Sequence, residues 1–415
     1  MRVQLATMRL LSTVAAWVLL SLTVLADDAP KYLFFNIAPG VGHFYTDESV
    51  RSAFDEVPKT LHVVENPKLR VGVSFIFSTL QTSTDQIAAR IRTILECSEK
   101  TSVPVLIALD GQNWWESRPD LWNWWDPSKP GYNPSNVFNV EWTDWSPTNA
   151  IKVSWRNWGT IHRVAPAQNI ASTNILALHL QALRDLVPIM VEWHRKLPAD
   201  RKWLLGGLKL GWETSIGYNA YYYLDGNRYA ERWPNDSSHD PTTVLNWNKG
   251  LSGGAVQLGY AALSSARLKD HGAITRDDIA LVTAWYFEKL CRTTFELGLP
   301  RQLVFTHQGG TYKPWDKQLP FWPAMNQWCT PGWSFYGLDP KDAGQLDKEL
   351  DNQNQQQWAA CEWWWGANDA SDWEDHFTRT LRFHDCRFID VYNWTRMFSK
   401  DVAGQRAVRS LVAKW

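Results

Sequence analysis

The sequence lacks a surplus of charge of either sign. Among its 415 residues, 42 Lys and Arg stand against 43 Asp and Glu, which gives a formal net charge of −1. A surface that binds nucleic acid or an anionic membrane shows a surplus or a run of basic residues. The charge balance therefore argues against nucleic acid as a partner. With 45% apolar residues, the chain is also too apolar to be disordered.

Cysteine is scarce, and the motifs of metal and nucleotide sites are missing. The five cysteines are Cys97, Cys291, Cys329, Cys361 and Cys386, and none has the CxxC spacing of zinc or thioredoxin-type sites. No HExxH or EF-hand pattern occurs, so no cofactor is expected. In an exported protein one or two disulfides can form, and the odd count leaves at least one thiol free. The pairing cannot be read from the sequence.

One long hydrophobic run is present, from Leu10 to Ala26. Two arginines precede it, small residues stand at Val24 and Ala26, and two aspartates follow. This is the pattern of a secretory signal peptide, and an uncleaved membrane anchor is the alternative. We predict a signal peptide over residues 1–26, a single domain over 27–415, and a secreted or periplasmic protein. No second span is expected, and hence no membrane partner after cleavage.

Short apolar runs recur along the rest of the chain and alternate with amphipathic segments. The runs are Tyr32–Ile37, Arg70–Phe77, Pro104–Leu109, Leu204–Leu210, Gln302–Thr306, Trp333–Tyr336, Trp358–Cys361 and Phe388–Tyr392. The clearest helical segments are Thr84–Lys100, Thr173–Lys196, Thr275–Leu297 and Ala403–Lys414. Continuous apolar runs are typical of parallel strands covered on both faces. The predicted fold is an α/β (β/α)8 TIM barrel with long loops after strands 3 and 4. A doubly wound sheet is the alternative, but no phosphate-binding glycine motif follows any run.

Barrel chemistry lies at the C-terminal ends of the strands. The side chains at these ends are Asp110 and Asn113 (strand 3), Glu213 (strand 4), His307 (strand 5), Tyr336 (strand 6), Glu362 (strand 7) and Trp394 (strand 8). Glu213 and Glu362 stand among aromatic and small residues, where an acid is costly unless it is paired or used. Strands 4 and 7 lie across the mouth of an eight-stranded barrel, so these two acids can face each other over a ligand.

A Glu at the end of strand 4 and another at the end of strand 7 resemble the catalytic pair of clan A glycoside hydrolases, the 4/7 superfamily. The segment CEWWWG, which contains Glu362, resembles the nucleophile strand of that clan, and YNW, ending at Trp394, is similar to its last strand. The resemblance implies a hydrolase of oligo- or polysaccharides that retains configuration, with Glu213 as acid/base and Glu362 as nucleophile.

One position departs from the clan's pattern. The clan commonly has an Asn before the strand-4 Glu, where it binds the sugar 2-hydroxyl, and this chain has Trp212 there. Either Asn219 or Asn113 supplies that contact, or the chain belongs to an outlying family. An inverting, β-amylase-like hydrolase also has two Glu on these strands without that Asn, and it stays open as an alternative.

The physical requirements of the reaction agree with this pair. One carboxylic acid must protonate the leaving oxygen, and one carboxylate must attack or activate water. We expect burial against Trp212 to raise the pKa of Glu213, and Glu362 to stay ionised if Tyr336 or His307 donates a hydrogen bond to it. Two alternatives stay open: His307 contacts ligand or is a buried structural histidine, and Asp110 binds sugar hydroxyls or forms a turn.

Tryptophan is the most unusual component of the sequence. The chain has 27 Trp, against 16 Phe and 13 Tyr, and nine of the Trp lie between residues 114 and 158. These residues are expected both to form a small core and to present flat apolar faces to sugar rings. The Trp residues predicted to lie nearest the substrate are Trp114, Trp115, Trp364 and Trp365. A non-catalytic carbohydrate-binding barrel would share these clusters without needing the two Glu to lie close together.

Overall fold

A computed structural model of the chain describes residues 29–39, 44–157, 161–216, 221–232, 255–309 and 319–415. Eight parallel strands close into a barrel in the order β1-β8-β7-β6-β5-β4-β3-β2. The strands are β1 (Lys31–Ile37), β2 (Leu69–Ser78), β3 (Val105–Asp110), β4 (Leu205–Thr214), β5 (Val304–Gln308), β6 (Gly332–Tyr336), β7 (Gln357–Trp364) and β8 (Asp385–Val391). The predicted TIM barrel is confirmed. The predicted signal peptide lies outside the described residues.

Helices cover the outside of the barrel. They are α1 (Asp47–Leu61), α2 (Thr84–Thr101), α3 (Thr173–Lys196), α4 (Arg276–Glu296), α5 (Leu346–Asn352), α6 (Ala370–Arg382) and α7 (Val402–Lys414). Side-chain hydroxyls cap several of them: Ser83 accepts from the amide of Gln86 before α2, and Thr275 accepts from that of Asp278 before α4. After β5 the described chain forms a short 3₁₀ turn, Trp322–Ala324.

The long connections after β3 and β4 carry small elements of their own. Three short helices are Pro119–Trp122, Gly226–Arg232 and Tyr260–Ser265. Two small antiparallel pairs join Ser154–Asn157 to Ile161–Val164 and Tyr222–Tyr223 to Ala255–Val256. The connection after β3 also has a separate hydrophobic core, which includes Trp115, Leu121, Val140, Trp142 and Ile175. This connection is therefore a packed unit on the C-terminal face of the barrel.

Aromatic rings fill the barrel interior at the end away from the C-terminal face. Phe388 meets Phe34 edge-on, with 5.7 Å between ring centroids, and Phe305 at 4.7 Å. A side chain at position 206 would begin 2.2 Å from the ring of Phe34, so Gly206 provides the space that this ring occupies. The packed floor leaves polar groups to the middle and upper layers of the barrel.

The structure corrects two expectations. All five cysteines are buried free thiols, so the disulfides considered for an exported protein are not formed. Helix α3 is long and apolar enough, by length and composition, to cross a membrane, although no second such stretch was expected. It packs between α2 and α4 and buries residues such as Leu183 and Leu186. The outer layer of the barrel therefore accounts for its apolar character.

Candidate active site

Glu213 lies at an irregular end of β4. Between Leu210 and Thr214, β4 advances four residues while the paired strand β5 advances two. Gly211 has φ +84° and Glu213 has φ +50°, a left-handed conformation that is rare for residues other than glycine. Such bulges re-aim side chains and occur next to active sites. The irregular backbone places Trp212 and Glu213 at the barrel mouth outside the regular alternation of the strand.

Glu362 lies at a second irregular position, in β7. Between Ala360 and Trp363, β7 advances three residues while β8 advances two. On the other side, Trp333 pairs with Ala360 while the next residue, Ser334, pairs with Glu362. Glu362 is only 6% exposed. Strands β4 and β7 stand three positions apart in the closed ring, so both predicted acids project at bulges from strands that face each other across the barrel.

Both carboxyl oxygens of Glu362 accept hydrogen bonds. The hydroxyl of Tyr336 donates to Oε1, and the indole Nε1–H of Trp212 donates to Oε2. His307 lies behind them, with its Nε2 3.9 Å from Oε2 and 2.8 Å from the hydroxyl of Ser334. The expected bond from Tyr336 is present. Trp212, the residue before Glu213, reaches across the mouth to the opposite carboxyl group.

The electrostatic environment of Glu362 differs from the expectation. Burial raises its pKa to about 8, and the negative charge of Glu213 adds to this effect. Hydrogen bonds from Tyr336 and Trp212 and the positive charge of Lys209 oppose it. The hydrogen bond from Tyr336 lowers the pKa of Glu362, as expected, but burial raises that pKa by more, so the bond does not by itself keep Glu362 ionised. Because the charge of Glu213 raises the pKa of Glu362, the two groups share one electrostatic environment and titrate together.

A buried ion pair lies beneath the carboxyl groups. The ammonium group of Lys209, on β4, donates to Asp390 on β8 and to the backbone oxygen of Cys361, at 2.8 Å. The hydroxyl of Ser74 donates to the other oxygen of Asp390 at 2.6 Å. Burial is the largest influence on Lys209 and lowers its pKa, but the attraction and hydrogen bond to Asp390, together with the charges of Cys361 and Glu362, raise the pKa above its ordinary value. Lys209 therefore places a fixed positive charge under Glu362 and holds the backbone just before it.

Two predicted ligand contacts are buried and structural. His307 is fully buried, and burial with the nearby charge of Lys209 holds its pKa well below the ordinary value, so its ring is neutral. Asp110 is also fully buried and accepts from the backbone amides of Gln112 and Asn113, at 3.1 and 2.9 Å. This is the turn alternative for Asp110. Burial raises its pKa to about 6.

Three other predicted contacts support the site from behind. Trp114, 6% exposed, meets Trp212 with 4.1 Å between ring centroids. The side-chain amide of Asn113 donates to the backbone oxygen of Trp212 at 2.9 Å, so it supports the bulge of β4. Trp115 is buried in the core of the connection after β3 and donates to Pro166 O at 3.1 Å. The prediction that it lies nearest the substrate is therefore wrong.

The tryptophans that follow β7 and β8 pack against helices. Trp394 is 2% exposed and donates from Nε1 to Glu56 at 3.0 Å, so it cannot receive a sugar. Trp364 packs edge-on against Trp373 of α6, and Trp365 stacks on His376 of the same helix. Both remain half-buried. They are held by the helix layer rather than presented freely at the mouth. Asn219 lies outside the described residues.

The sequence analysis missed two residues of this site. Arg156, half-buried in the connection after β3, lies within electrostatic range of Glu116, Asp110 and Glu213. Tyr392, just after β8, meets Tyr336 edge-on at 6.3 Å; burial raises its pKa, and the charges of Glu362 and Glu213 add to this effect. Strand-end position could have indicated Tyr392. No pattern indicated Arg156, because the loop fold alone brings it here.

The site is built from carboxyl, phenol and indole groups. Within the described ranges, no group of three or more His, Cys, Asp or Glu side chains is arranged to hold a metal ion. The donors around Glu362 are an O–H and an N–H, which stabilise an anion and do not ligate a cation. The arrangement can hold one proton between two carboxyl groups, next to half-buried aromatic rings.

No protein-family model matches the chain, and no curated protein matches it. Among solved structures, it is similar to a β-galactosidase from the psychrophilic Marinomonas ef1, at 10% identity and TM-score 0.48, over 93% of this chain and 59% of that one. It is also similar to the β-amylase catalytic domain of Paenibacillus polymyxa, at 6% identity and TM-score 0.45, over 92% of this chain and 99% of that one. A third similar structure is a GH5-4 broad-specificity endoglucanase from an uncultured bacterium, at 8% identity and TM-score 0.44, over 91% of this chain and 93% of that one.

The chain spans about three fifths of the length of the β-galactosidase it matches. Identities and TM-scores this low carry no argument about activity. The fold rests on the closed order of eight parallel strands, and the function has to be argued from the site.

Proposed function

We propose that this chain is an exported glycoside hydrolase that cleaves O-glycosidic bonds in an oligo- or polysaccharide with retention of configuration. The observation that carries the proposal is the facing pair of Glu213 and Glu362 on bulges of β4 and β7, close enough for the charge of one to raise the pKa of the other. A glycosidase needs two such carboxyl groups with different protonation states. A non-catalytic binding barrel would have no need for this coupling.

In the proposed reaction, Glu362 is the nucleophile. Its two oxygens receive hydrogen bonds from Tyr336 and Trp212, which fix their positions and favour the charged form. The carboxylate attacks the anomeric carbon while the bond to the leaving oxygen breaks. Its resulting ester to the sugar is later hydrolysed by water. Lys209 beneath the site offsets part of the cost of the buried negative charge.

Glu213 is the proposed acid and base. It gives its proton to the leaving oxygen in the first step and takes a proton from the attacking water in the second. When Glu213 holds the proton, its charge no longer raises the pKa of Glu362. Burial still raises that pKa, and the hydrogen bonds from Tyr336 and Trp212 and the charge of Lys209 oppose it, so in the proposed working state Glu213 is neutral and Glu362 is ionised.

A substrate screen with product analysis tests the proposal. The protein is incubated with aryl glycosides and with polysaccharides, and NMR follows which anomer of the product appears first. We expect hydrolysis of at least one glycoside with the anomer of the substrate, and turnover lower by orders of magnitude in Glu213→Gln and Glu362→Gln. Initial formation of the opposite anomer would replace retention by the inverting, β-amylase-like mechanism. Undiminished hydrolysis in either variant would overturn the assignment of the pair.

A further inference from the structure

A pocket lies in the connection after β3, apart from the barrel axis. Its volume is about 560 Å³, within the range of small-ligand sites. One wall is formed by Trp122 and Trp125, whose rings stack with 5.6 Å between centroids and 27° between planes. Glu231, which also lines the pocket, belongs to the short helix Gly226–Arg232, which follows β4. Two loops from neighbouring barrel strands therefore enclose the pocket.

The aromatic wall is fixed in place. Trp122 donates from Nε1 to the backbone oxygen of Trp115 at 2.9 Å, and Trp115 is anchored in turn on Pro166. Trp124, which meets Trp125 at 69°, donates to the backbone oxygen of Ile151 at 3.1 Å. Rings held by such bonds lose little entropy when a ligand packs on them. Trp125 lines the pocket without belonging to the core of the loop.

The charged groups of the pocket balance. Three cations, Lys129, Lys152 and Arg163, face three acids, Glu116, Asp126 and Glu231. Lys152 pairs with Glu231, and Lys129 lies 3.7 Å from Asp126. The lining therefore carries no net charge and offers both donors and acceptors beside an apolar aromatic wall. A neutral polyhydroxylated ligand matches this lining, because its hydroxyl groups can bond to both signs of charge and its C–H faces can cover indole.

The loop that lines the pocket is linked to the chain that follows β4, at whose end Glu213 lies. Arg156 lies within electrostatic range of both Glu116, which lines the pocket, and Glu213. The neighbouring residue Trp155 exchanges two backbone hydrogen bonds of 2.8 Å with Tyr221, which follows β4. The loop that lines the pocket is therefore paired with the chain that follows the group we assign as the acid, and that group protonates the leaving oxygen.

We propose that this pocket binds the sugar units of a neutral oligosaccharide on the leaving-group side of the scissile bond. The inference rests on the proposed function, which defines the leaving-group side of the bound oligosaccharide. It implies that the protein acts on oligosaccharides or polysaccharides in preference to short glycosides, because the pocket adds binding energy only when the leaving group is itself a sugar chain.

The test compares Trp125→Ala with Trp285→Ala, a matched control at a half-buried Trp on the outer helix α4. Isothermal titration measures binding of cello-, xylo-, manno- and malto-tetraose and of tetragalacturonate. Kinetics are measured with the tetrasaccharide that is cleaved and with an aryl monoglycoside of the same sugar. Trp125→Tyr keeps an aromatic face and controls for damage to the loop.

We expect Trp125→Ala to lower kcat/KM for the tetrasaccharide at least tenfold more than for the aryl monoglycoside, with Trp125→Tyr between it and wild type. An equal effect on both substrates, or an effect no larger than that of Trp285→Ala, would overturn the site. If tetragalacturonate binds and none of the neutral tetrasaccharides does, the assignment of a neutral ligand would be overturned. If no glycoside is cleaved but a neutral tetrasaccharide binds in a Trp125-dependent manner, the proposed function fails and the binding site stands. If wild type cleaves the tetrasaccharide and Trp125→Ala cleaves it at the same rate, the proposed function stands and the binding site fails.

Discussion

Glu362 combines two opposing influences at the scale of a single residue. Its carboxyl group is buried, which favours the neutral form, yet both of its oxygens accept hydrogen bonds that favour the charged form. Burial, and after it the charge of Glu213, raise the pKa of Glu362 to about 8. A proton on Glu213 removes one of these causes, so the state of Glu362 depends on that of its partner.

Tyr336→Phe tests the hydrogen bond to Oε1. The change removes a donor that lowers the pKa of Glu362, so that pKa rises and the acidic limb of the kcat/KM–pH profile moves to higher pH. A hydrogen bond to a charged group is worth about 1.5–3 kcal/mol, which corresponds to a loss of about 10- to 100-fold in kcat/KM at neutral pH. Tyr132→Phe, at an exposed tyrosine, is the control. An unmoved acidic limb would contradict the assignment.

At the same scale, sequence position indicated which residues gather at the barrel mouth but not what they contact. Glu213, Glu362 and Tyr336 were predicted from strand ends and meet there. Trp394 and His307 occupy similar positions, yet both are buried. The direction in which a strand-end side chain points depends on the backbone after the last regular pair, which hydrophobic periodicity does not encode.

At the scale of elements, the two bulges explain both the geometry of the site and the limits of prediction. The predicted fourth strand ended at Leu210, because Gly211 and the polar residues after it interrupt the apolar run, whereas the strand continues to Thr214. The glycine within this irregular end was the signal for a bulge. Helices α1 and α6 were not singled out. Pro58 lies inside α1, and α6 is rich in charged residues, so both are poor in apolar residues.

Lys209→Met tests the ion pair that joins β4 to β8. Removing the ammonium group leaves the charge of Asp390 buried without a cationic partner, with only the hydroxyl of Ser74 bonded to it, and breaking a buried ion pair typically costs about 3–5 kcal/mol. We expect urea unfolding to show that loss in Lys209→Met and a smaller loss in the double variant Lys209→Met/Asp390→Asn, which buries no charge at either position. A double variant less stable than the single one would contradict the assignment of Asp390 as the charged partner.

At the scale of the whole molecule, the barrel is layered from an aromatic floor through a buried ion pair to a pair of carboxyl groups. Part of the excess of Trp serves packing: Trp155, Trp333, Trp358, Trp363 and Trp373 are essentially fully buried. Composition could not separate these from Trp122 and Trp125, because the same residue type fills cores and lines pockets. The overall fold, in contrast, followed from eight apolar runs, since covered parallel strands require them.

The buried acids of this molecule predict a pH dependence of stability. Burial raises the pKa of Glu141, in the connection after β3, to about 8, although it accepts from the amides of Gly259 and Ala262. A raised pKa gives stability that is complete below the unfolded value and is lost as pH rises through the folded value. The free energy of unfolding should therefore fall between about pH 5 and 8, by up to about 1.4 kcal/mol per pH unit for each such group.

Glu141→Gln tests whether the titration of Glu141 causes this decline in stability, because glutamine resembles the protonated acid. We expect chemical denaturation to give nearly equal stabilities for the variant and wild type at pH 5, and a shallower decline toward pH 8 in the variant. Glu96→Gln, at an exposed glutamate on α2, should leave the slope as in wild type. Parallel declines in Glu141→Gln and wild type would show that Glu141 does not titrate over this interval.

The most direct test of the central claim compares Glu213→Ala with Glu362→Ala on an aryl glycoside whose leaving group, 2,4-dinitrophenolate, needs no protonation. The account predicts that Glu213→Ala still releases dinitrophenolate in a first turnover and is accelerated by azide, which replaces water without needing a base. It predicts that Glu362→Ala loses release by orders of magnitude, since the nucleophile is gone. Release retained in Glu362→Ala and lost in Glu213→Ala would reverse the two roles, and equal wild-type rates in both variants would contradict the account.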